Sequence, residues 1–371
     1  MMDWTLIFAL IFYAAVGCQL FFWGILFTRL LFKKASPKGA HYQGPVSVIL
    51  CAKNEAENLK LHLPAILNQI YPSFEVIVVD DQSSDGSQEL LKQLQKQHPK
   101  LKILTIGQEE DSGAGKKYAL SRGIQSAQYE VVLLTDADCQ VASPNWITRM
   151  VEGLTPGKDI VLGYGPYTKT TGWVNRFTRF ETVYAAIQYF SFASWGMPYM
   201  AVGRNLAYRK RLFEEIGGFK SHETVISGDD DLFIRDAANP FNVSLVQDTE
   251  AFTYSASKEN WRSYLRQKSR HISTSIHYRP LIKFLLTALS MSHFAFFGWF
   301  LISLVFHISV SSQIELATLR YVTTYTVYGV YLTKWKQLDL LPWLPVLEII
   351  LVLYFVVLTP LLFIRKAIPW K

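Results

Sequence analysis

The chain has few charged residues and very little cysteine for its length. Only 18% of its 371 residues are charged, whereas soluble domains carry about 25%. Its three cysteines, Cys18, Cys51 and Cys139, are too scattered for a disulfide framework or a zinc site, and its histidines show no metal-binding spacing. These absences exclude a disulfide-rich secreted domain, and we expect all three thiols to be reduced.

Hydrophobic residues and a modest positive charge are what the chain has in excess. Half of its residues are hydrophobic, and the formal net charge is +7. A nucleic-acid-binding protein would gather this excess in a dense basic stripe. Here the basic residues are spread along the chain, so the expected partners are a membrane and a phosphorylated substrate, and not nucleic acid.

A first membrane-spanning helix is predicted within residues 1–32. Residues 4–28 contain no charge, and about 20 residues are enough to cross the hydrocarbon core. One acidic residue precedes this segment, and four basic residues follow it: Asp3, then Arg29, Lys33, Lys34 and Lys38. Because positive flanks stay inside, the N-terminus is expected outside and the chain from residue 29 onward in the cytoplasm. The alternative is a buried core helix.

The C-terminal residues 281–371 repeat this signal. Residues 284–314 contain no acidic residue, lysine or arginine, and residues 340–364 contain only Glu348. Between them, residues 314–333 carry Glu315 and Arg320 and are rich in threonine and tyrosine, which fits either a third span or a helix in the membrane interface. We therefore predict two or three spans. Three are favoured, because so apolar a loop would be unusual outside the membrane.

Residues 33–280 are predicted to form a cytoplasmic α/β domain, because short apolar runs alternate there with helical periodicity. The predicted strands cover 46–51, 74–79, 101–106 and 129–135, and the predicted helices cover 55–69, a segment that ends at 97, 116–127 and 232–238. Such alternation indicates a mostly parallel sheet with helices on both faces, and such sheets bind ligands at the carboxyl ends of their strands.

Acidic residues follow three of the four predicted strands. Glu55 comes after the first, Asp80 and Asp81 after the second, and Asp136 and Asp138 after the fourth. Carboxylates gathered at one edge repel one another unless a cation or a donor-rich ligand lies between them. A lone Asp-x-Asp is usually a solvated turn or a helix cap. Its position after a buried strand here favours a hard divalent cation that also binds phosphate.

Four segments of this domain resemble successive motifs of family 2 glycosyltransferases. They are PVSVILCAKNE at 45–55, VVDDQSSDG at 78–86, GKKYAL at 115–120 and TDAD at 135–138. The resemblance continues in order to residue 271 and implies a GT-A fold, which is a Rossmann-like α/β domain. The layout of one span, a catalytic domain and further spans is also similar to that of membrane-bound polysaccharide synthases of this family.

The resemblance implies a binding site for a nucleotide sugar, and it favours a UDP-sugar as the donor. Glu55 and Asp81 would contact the uracil and ribose, with Asp80 beside them. Lys116 would lie near the nucleotide or its diphosphate. The sequence alone fits equally well the interpretation that Lys116 is a solvated residue in the first turn of a helix.

The same resemblance implies a metal site and an acceptor side. Asp138 would hold Mn²⁺ or Mg²⁺ against the diphosphate, with Asp136 near the ribose and the metal. A bound cation neutralises the charge that develops on the leaving nucleoside diphosphate. Gly203, Arg204 and Asn205 resemble the acceptor-side loop of the family, a glycine-bearing turn before a strand.

Three consecutive acids, Asp229, Asp230 and Asp231, precede the helix predicted at 232–238. They are open to interpretation as an acidic N-cap cluster that complements the helix dipole. The segment also resembles the T-E-D motif of the family, in which the Asp is the general base. Asp229 matches that Asp, but Gly228 stands where Glu is usual, so Asp230 is a second candidate.

Gln267, Arg270 and His271 resemble the family's Q-x-x-R-W motif, with His in place of Trp. Their spacing places them on one helix face, from which Arg270 would clamp the diphosphate. The alternative is a basic amphipathic helix on anionic lipid. Upstream, the aromatic stretch 173–195 fits a core helix, a ligand platform or a helix half-sunk in the membrane surface.

These expectations describe a multi-pass protein of the cell membrane with a cytoplasmic catalytic domain. The resemblance implies a metal-assisted, inverting glycosyltransferase that moves a sugar from a nucleotide sugar to a lipid or a growing polysaccharide. The alternative is a catalytically silent membrane scaffold that keeps the fold and binds a partner.

Overall fold

The computed structural model describes residues 4–32, 41–107, 115–225, 227–305 and 311–361. A helical N-terminal segment leads into an α/β domain, and three long helices follow it. The N-terminal segment comprises α1 (Trp4–Phe21), a π-helical turn (Phe22–Leu26) and α2 (Arg29–Phe32). Lys33, Lys34 and Lys38, which help to set the predicted orientation, lie outside the described residues.

The first half of the α/β domain alternates strands and helices. Its elements are β1 (Val46–Ala52), α3 (Ala56–Leu67), β2 (Phe74–Asp81), α4 (Ser87–Gln97), β3 (Leu101–Ile106), α5 (Lys116–Ser126), β4 (Val131–Leu134), β5 (Cys139–Val141) and α6 (Trp146–Val151). Every residue of β1, β2 and β4 is buried. Strands covered on both faces tolerate only continuous apolar runs, which explains why the sequence predicts these three.

The second half of the domain contains shorter strands and leads into the C-terminal helices. Its elements are β6 (Ile160–Leu162), α7 (Trp173–Ser194), β7 (Leu206–Arg209), α8 (Lys210–Glu215), α9 (Asp231–Ala237), β8 (Val243–Leu245), β9 (Thr253–Ser255) and α10 (Trp261–Ile272). The remaining helices are α11 (Pro280–Val305), α12 (Ser311–Lys334) and α13 (Leu344–Leu361).

The central sheet has seven strands in the order β3-β2-β1-β4-β7-β6-β8. The first four are parallel, β7 runs antiparallel to both β4 and β6, and β6 pairs in parallel with β8. The predicted mostly parallel sheet is therefore confirmed. Because β1, β2 and β4 point the same way, the acids that follow them lie at the same edge of the sheet.

Helix α7 is a core helix. Eighteen of its residues are buried, and its aromatic rings pack between the sheet and the C-terminal helices. The tryptophans at its two ends are partly exposed: Trp173, its first residue, is 42% exposed, and Trp195, just beyond its last residue, is 40% exposed. This confirms the core interpretation of the aromatic stretch over a helix half-sunk in the membrane surface.

Within the described parts of the chain, three helical segments are long and apolar enough to cross a membrane: Leu6–Phe32, Pro280–Ser303 and Leu338–Pro360. The segment 314–333, which the sequence left ambiguous, lies within the single helix α12. Its Arg320 is fully buried and forms two hydrogen bonds, of 2.6 and 2.8 Å, with Glu348 of α13. Gln19 of α1 accepts a third, at 2.7 Å.

All three cysteines are free thiols, as predicted.

Candidate active site

One cavity of about 1020 Å³ connects the acidic edge of the sheet with the C-terminal helices. The chain segments after β1 and β4 and the start of α5 form one end. Helices α7 and α10 form its sides, and its other end lies between α11 and α13. Eleven of the predicted site residues line it: Glu55, Lys116, Asp136, Asp138, Gly203, Arg204, Asp229, Asp230, Gln267, Arg270 and His271.

Lys116 links the two acidic groups of the site. Its ammonium lies 3.0 Å from a carboxylate oxygen of Asp136 and 3.0 Å from one of Asp229. Burial alone would lower the pKa of Lys116, but Asp136, Asp229 and Asp230 hold that pKa well above its usual range. The side chain is only 23% exposed. The interpretation of Lys116 as a solvated surface residue is therefore wrong, and it is a permanent cation of the site.

Asp136 and Asp138 follow β4 and form part of a possible metal site. One potential ligand atom each from Asp136, Asp138 and Cys139 lie within 4.8 Å of one another. Burial, and next the charge of Asp136, raise the pKa of Asp138, so a cation between the carboxylates would relieve their repulsion. Burial also raises the pKa of the Cys139 thiol. A neutral thiol is a poor ligand for a hard cation, so the carboxylates are the fitting ligands.

The three consecutive acids have different environments. Asp229 faces Lys116 in the cavity. Both oxygens of Asp230 accept backbone hydrogen bonds of 2.8 Å, from the N–H groups of Gly203 and Asp231. Asp231 accepts from the Leu232 N–H at 2.8 Å and from the Tyr278 hydroxyl at 2.8 Å. The N-cap interpretation therefore applies to Asp230, which caps α9, and not to Asp229.

The protonation of these acids differs as well. Burial would raise the pKa of Asp229, but the ammonium of Lys116 and its hydrogen bond hold that pKa below its usual range. Burial, and then the charges of Asp229 and Asp231, raise the pKa of Asp230 to about 8. At neutral pH Asp229 is thus an ionised carboxylate in the cavity, whereas Asp230 is mostly protonated.

Helix α10 presents Gln267, Arg270 and His271 to the cavity. Burial lowers the pKa of His271 well below its usual range, and the nearby charges of Lys268 and Arg270 lower it further. Its imidazole is therefore neutral, and it remains accessible from the cavity. Lys268 forms an ion pair of 2.5 Å with Glu181 of α7, which helps to anchor α10 against the domain.

Three predicted contact residues do not line the cavity. Asp80 is fully buried and accepts a hydrogen bond of 2.7 Å from Gln88, and the equally buried Asp81 lies 3.5 Å from Lys53. Each keeps one carboxylate oxygen without a hydrogen-bond partner among the described residues. These acids therefore lie behind the cavity wall, at the end of β2, in the present structure.

Asn205 is the third predicted contact residue that does not line the cavity, so its predicted place on the acceptor side needs correction. The residue is fully buried, and its amide donates to the carbonyls of Tyr164 and Ala251 at 2.8 Å each. Its side-chain oxygen accepts from the indole of Trp146 at 3.1 Å. All of these partners are protein groups, so Asn205 holds the loop in place while Gly203 and Arg204 face the cavity.

Sequence reasoning missed the polar face of α7. Glu181, Tyr184 and Gln188 line the cavity, and their spacing of three and four residues is that of one helix face. The abundance of aromatic residues in this stretch hid the signal. It also missed Tyr167, whose ring lies 4.7 Å from the guanidinium of Arg204.

Comparison with known proteins agrees with this architecture. A solved structure, the mannosyltransferase PcManGT from Pyrobaculum calidifontis in complex with GDP-Man and Mn²⁺, superposes with a TM-score of 0.58 at 20% identity. The match covers 94% of this chain and 98% of that one. At this identity the likeness concerns the fold alone, and that fold is the GT-A fold of glycosyltransferases.

The sequence comparisons concern the α/β domain. Residues 47–217, which are less than half of the chain, match the family described as Glycosyl transferase family 2. The glycosyltransferase AglE of Haloferax volcanii is 34% identical over 196 residues, which are 50% of this chain and 58% of that protein. The probable glycosyltransferase YdaM of Bacillus subtilis is 26% identical over 61% of this chain and 54% of its own length. The chain thus spans little more than half the length of these relatives.

Proposed function

We propose that the chain is a membrane-bound, inverting glycosyltransferase that transfers a sugar from a nucleotide sugar to a lipid or polysaccharide acceptor. The observation that carries this proposal is the arrangement around Lys116. Two carboxylates suited to a cation, Asp136 and Asp138, lie on one side of it, and the ionised Asp229 lies on the other. A silent scaffold would have no need for such unbalanced acids in the lining of one cavity.

The donor would bind with its diphosphate near Asp138, Lys116 and Arg270. Asp138 and Asp136 would hold Mn²⁺ or Mg²⁺, which when bound neutralises charge on the leaving diphosphate. Lys116 and Arg270 supply two further positive charges from the opposite walls of the same cavity. Glu55, which lines the same cavity, would contact the base or the ribose.

Asp229 would act as the general base. The acceptor oxygen attacks the anomeric carbon as the bond from that carbon to the diphosphate breaks, and the proton of the attacking hydroxyl passes to Asp229. The lowered pKa keeps Asp229 ionised before the reaction. Asp230 is less suited to this role, because both of its oxygens accept backbone hydrogen bonds.

Turnover by the purified chain tests this function. The assay follows release of nucleoside diphosphate from a panel of UDP-sugars and GDP-sugars, with Mn²⁺, with Mg²⁺ and with EDTA. The resemblance favours UDP-sugars, and the solved Pyrobaculum enzyme was bound to GDP-Man, so both classes are needed. Metal-dependent release from at least one donor is expected. No release and no binding of any donor would favour the scaffold.

The helices support a topology in which four of them cross the membrane. Helix α11 begins beside the catalytic domain, where Arg279 donates to the carbonyl of Ala238. Helix α12 returns to the same side, because the Trp335 ring just after it lies 4.6 Å from Tyr164. At 1.5 Å per residue, the 24 residues of α12 extend about 36 Å, enough to cross the bilayer. We therefore include α12 among the spans, with the catalytic domain in the cytoplasm.

Thiol labelling in intact cells tests this topology. Lys92→Cys in the catalytic domain should be shielded from a membrane-impermeant reagent, whereas Ser311→Cys at the start of α12 should react. Leu338→Cys, after α12, should again be shielded and serves as the matched control. Labelling of Lys92→Cys with shielding of Ser311→Cys would reverse the orientation. Shielding of both Ser311→Cys and Leu338→Cys would remove α12 from the spans.

A further inference from the structure

We infer that the cleft between α11 and α13 receives the chain of a phosphorylated lipid whose head group carries a hydroxyl beyond its phosphate, and that this lipid is the acceptor. The inference rests on the proposed glycosyltransferase function and names its acceptor. Three zones of the one cavity carry it. They are apolar, basic and acidic, in that order from the membrane helices towards Asp138.

The apolar zone lies between two helices that are apolar enough to span a membrane. Each wall is formed by residues at helical spacing. Helix α11 contributes Leu286, Ser290 and Phe294, and helix α13 contributes Leu351, Tyr354 and Phe355. The stretch of α11 from Lys283 to Phe294 is about 16 Å long at 1.5 Å per residue. The hydrocarbon core is about 30 Å thick, so the cleft has the depth of one leaflet and fits a hydrocarbon chain.

The basic zone lies where the cavity leaves these helices. Arg266 of α10 and Lys283 in the first turn of α11 both line the cavity. Neither has a carboxylate at ion-pair distance within the described parts of the chain, whereas the neighbouring Lys268 is paired with Glu181. The Lys283 ammonium reaches only the carbonyl of Ile276, at 3.4 Å. Two cations without counter-charges, at the level of lipid head groups, fit a lipid phosphate.

The acidic zone indicates what lies beyond that phosphate. Asp229 is ionised, lines the same cavity and would accept the proton of the attacking group. A bare lipid phosphate attacks through an oxygen that is already ionised and needs no base. A base at this position therefore calls for a hydroxyl nucleophile. An acceptor that satisfies all three zones has a chain, then a phosphate, then a hydroxyl.

Photolabelling of the full chain tests this directly. The protein is placed in phosphatidylcholine nanodiscs that contain phosphatidylglycerol with a diazirine in one acyl chain. The matched probe is a diacylglycerol with the same chain, which keeps the hydroxyl and lacks the phosphate. We expect phosphatidylglycerol to label the cleft walls at Ser290 and Phe355. Diacylglycerol should label them about tenfold less, as expected for the loss of a hydrogen bond between charged groups.

Two further outcomes of this experiment decide against the inference. Label confined to outward-facing positions such as Leu301 and Val356, which are 64% and 53% exposed, would show contact with bulk lipid only. Equal cleft labelling by the two probes would overturn the phosphate assignment. An excess of inorganic phosphate should leave the label in place, and its loss would assign Arg266 and Lys283 to free phosphate instead.

Variants separate the zones. Replacing both basic residues, Arg266→Ala with Lys283→Ala, should reduce cleft labelling about tenfold, since each removes a charged hydrogen-bond donor. Ser290→Trp should block the cleft, whereas Leu301→Trp, on the outer face of the same helix, should not. Full labelling of the double variant would overturn the basic zone. If Ser290→Trp does not fold, the labelled positions in the native chain and in the double variant still decide.

Hydrolysis of the nucleotide sugar by water, with Mn²⁺, keeps the two proposals apart, because it needs the donor half of the site alone. Leu301→Trp, outside the cleft, should retain it. Donor hydrolysis without cleft labelling would overturn the lipid acceptor and leave the glycosyltransferase intact. Cleft labelling without hydrolysis of any donor would instead overturn the proposed function on which this acceptor role rests.

Discussion

Two groups of buried charge in the molecule differ in their balance. One is the pair formed by Arg320 and Glu348 between the C-terminal helices, and the other is the set of carboxylates around Lys116 at the edge of the sheet. In the helices one arginine meets one glutamate through two hydrogen bonds, and Gln19 takes a third N–H group. Around Lys116, several acids share one ammonium. The first group is complete without a ligand, whereas the second contains more carboxylates than ammonium groups.

The difference teaches how to separate structural charge from functional charge in this fold. Opposite charges that satisfy each other's hydrogen bonds hold elements together and leave nothing for a substrate. Like charges held close together keep a site ready for a ligand of opposite sign, and they are retained at a cost in stability. The following changes disturb one group or the other.

The largest effect is expected from Asp138→Ala, in the unbalanced group. This change removes a ligand for the cation that neutralises the leaving diphosphate, so turnover should be lost while the protein stays folded. Turnover and the melting temperature are measured together, and EDTA should have the same effect on the native chain. Glu250→Ala, which removes an exposed acid paired with Arg149 outside the cavity, is the control and should stay active. Full activity of Asp138→Ala in the presence of EDTA would exclude a role for a metal ion in the reaction.

Asp229→Asn should come next. The amide keeps the size of the side chain but cannot accept the acceptor's proton, so kcat should fall by about 10²–10⁴-fold. Donor affinity, from nucleotide-sugar binding, should hardly change. Asp230→Asn is the matched control and should be much milder, because its backbone bonds make it a helix cap. If Asp230→Asn is the inactive variant instead, the base lies one residue further along.

In the balanced group, Glu348→Gln should reduce stability rather than activity directly. It leaves the Arg320 guanidinium buried without its counter-charge, which costs about 3–5 kcal/mol. Thermal unfolding in detergent measures the loss. The double variant Arg320→Met with Glu348→Leu should recover most of it, because neither charge then remains. A single variant as stable as the native chain would show that the pair contributes nothing.

The last effect concerns the pH dependence of stability. The pKa of Asp230 is about 8 in the folded protein, against about 3.9 in an unfolded chain. The folded state therefore holds an extra proton between these values. The stability from the neutral acid is fully present below pH 4 and is lost as the pH rises towards 8. Asp230→Asn lacks this titration, so its melting temperature relative to the native chain should rise from pH 5 to pH 8. Parallel pH profiles would contradict the raised pKa.

Strands β1 to β4 could be predicted within about two residues because local composition specifies them. VSVILCA is continuous, apolar and β-branched, and only a strand covered on both faces suits it. The shorter strands β5, β6, β8 and β9 have three residues each, too few for any periodic signal. Strand β6 forms because β7 offers it an edge, β8 then pairs with β6, and β5 and β9 pair with each other, and all of these partners lie far away in sequence.

The site shows the same limit. The order of the motifs predicted which acids would gather at one edge, but it did not predict their division of labour. Asp229, Asp230 and Asp231 look alike in the sequence and differ only through Lys116, Gly203 and Tyr278. In the same way, Glu315 and Arg320 left the segment 314–333 ambiguous in the sequence, because Glu348 and Gln19 reach Arg320 only after folding.

The hydrogen bond between Asp231 and Tyr278 connects the start of α11 with the segment that carries Asp229. Tyr278 stands two residues before the start of α11, and Asp231 stands two residues after Asp229. We expect a shift of α11 along its axis to move Tyr278 and, through this hydrogen bond, the segment that carries Asp229. Because bilayer thickness sets the depth of a spanning helix, we expect the thickness to influence the position of Asp229 in the cavity.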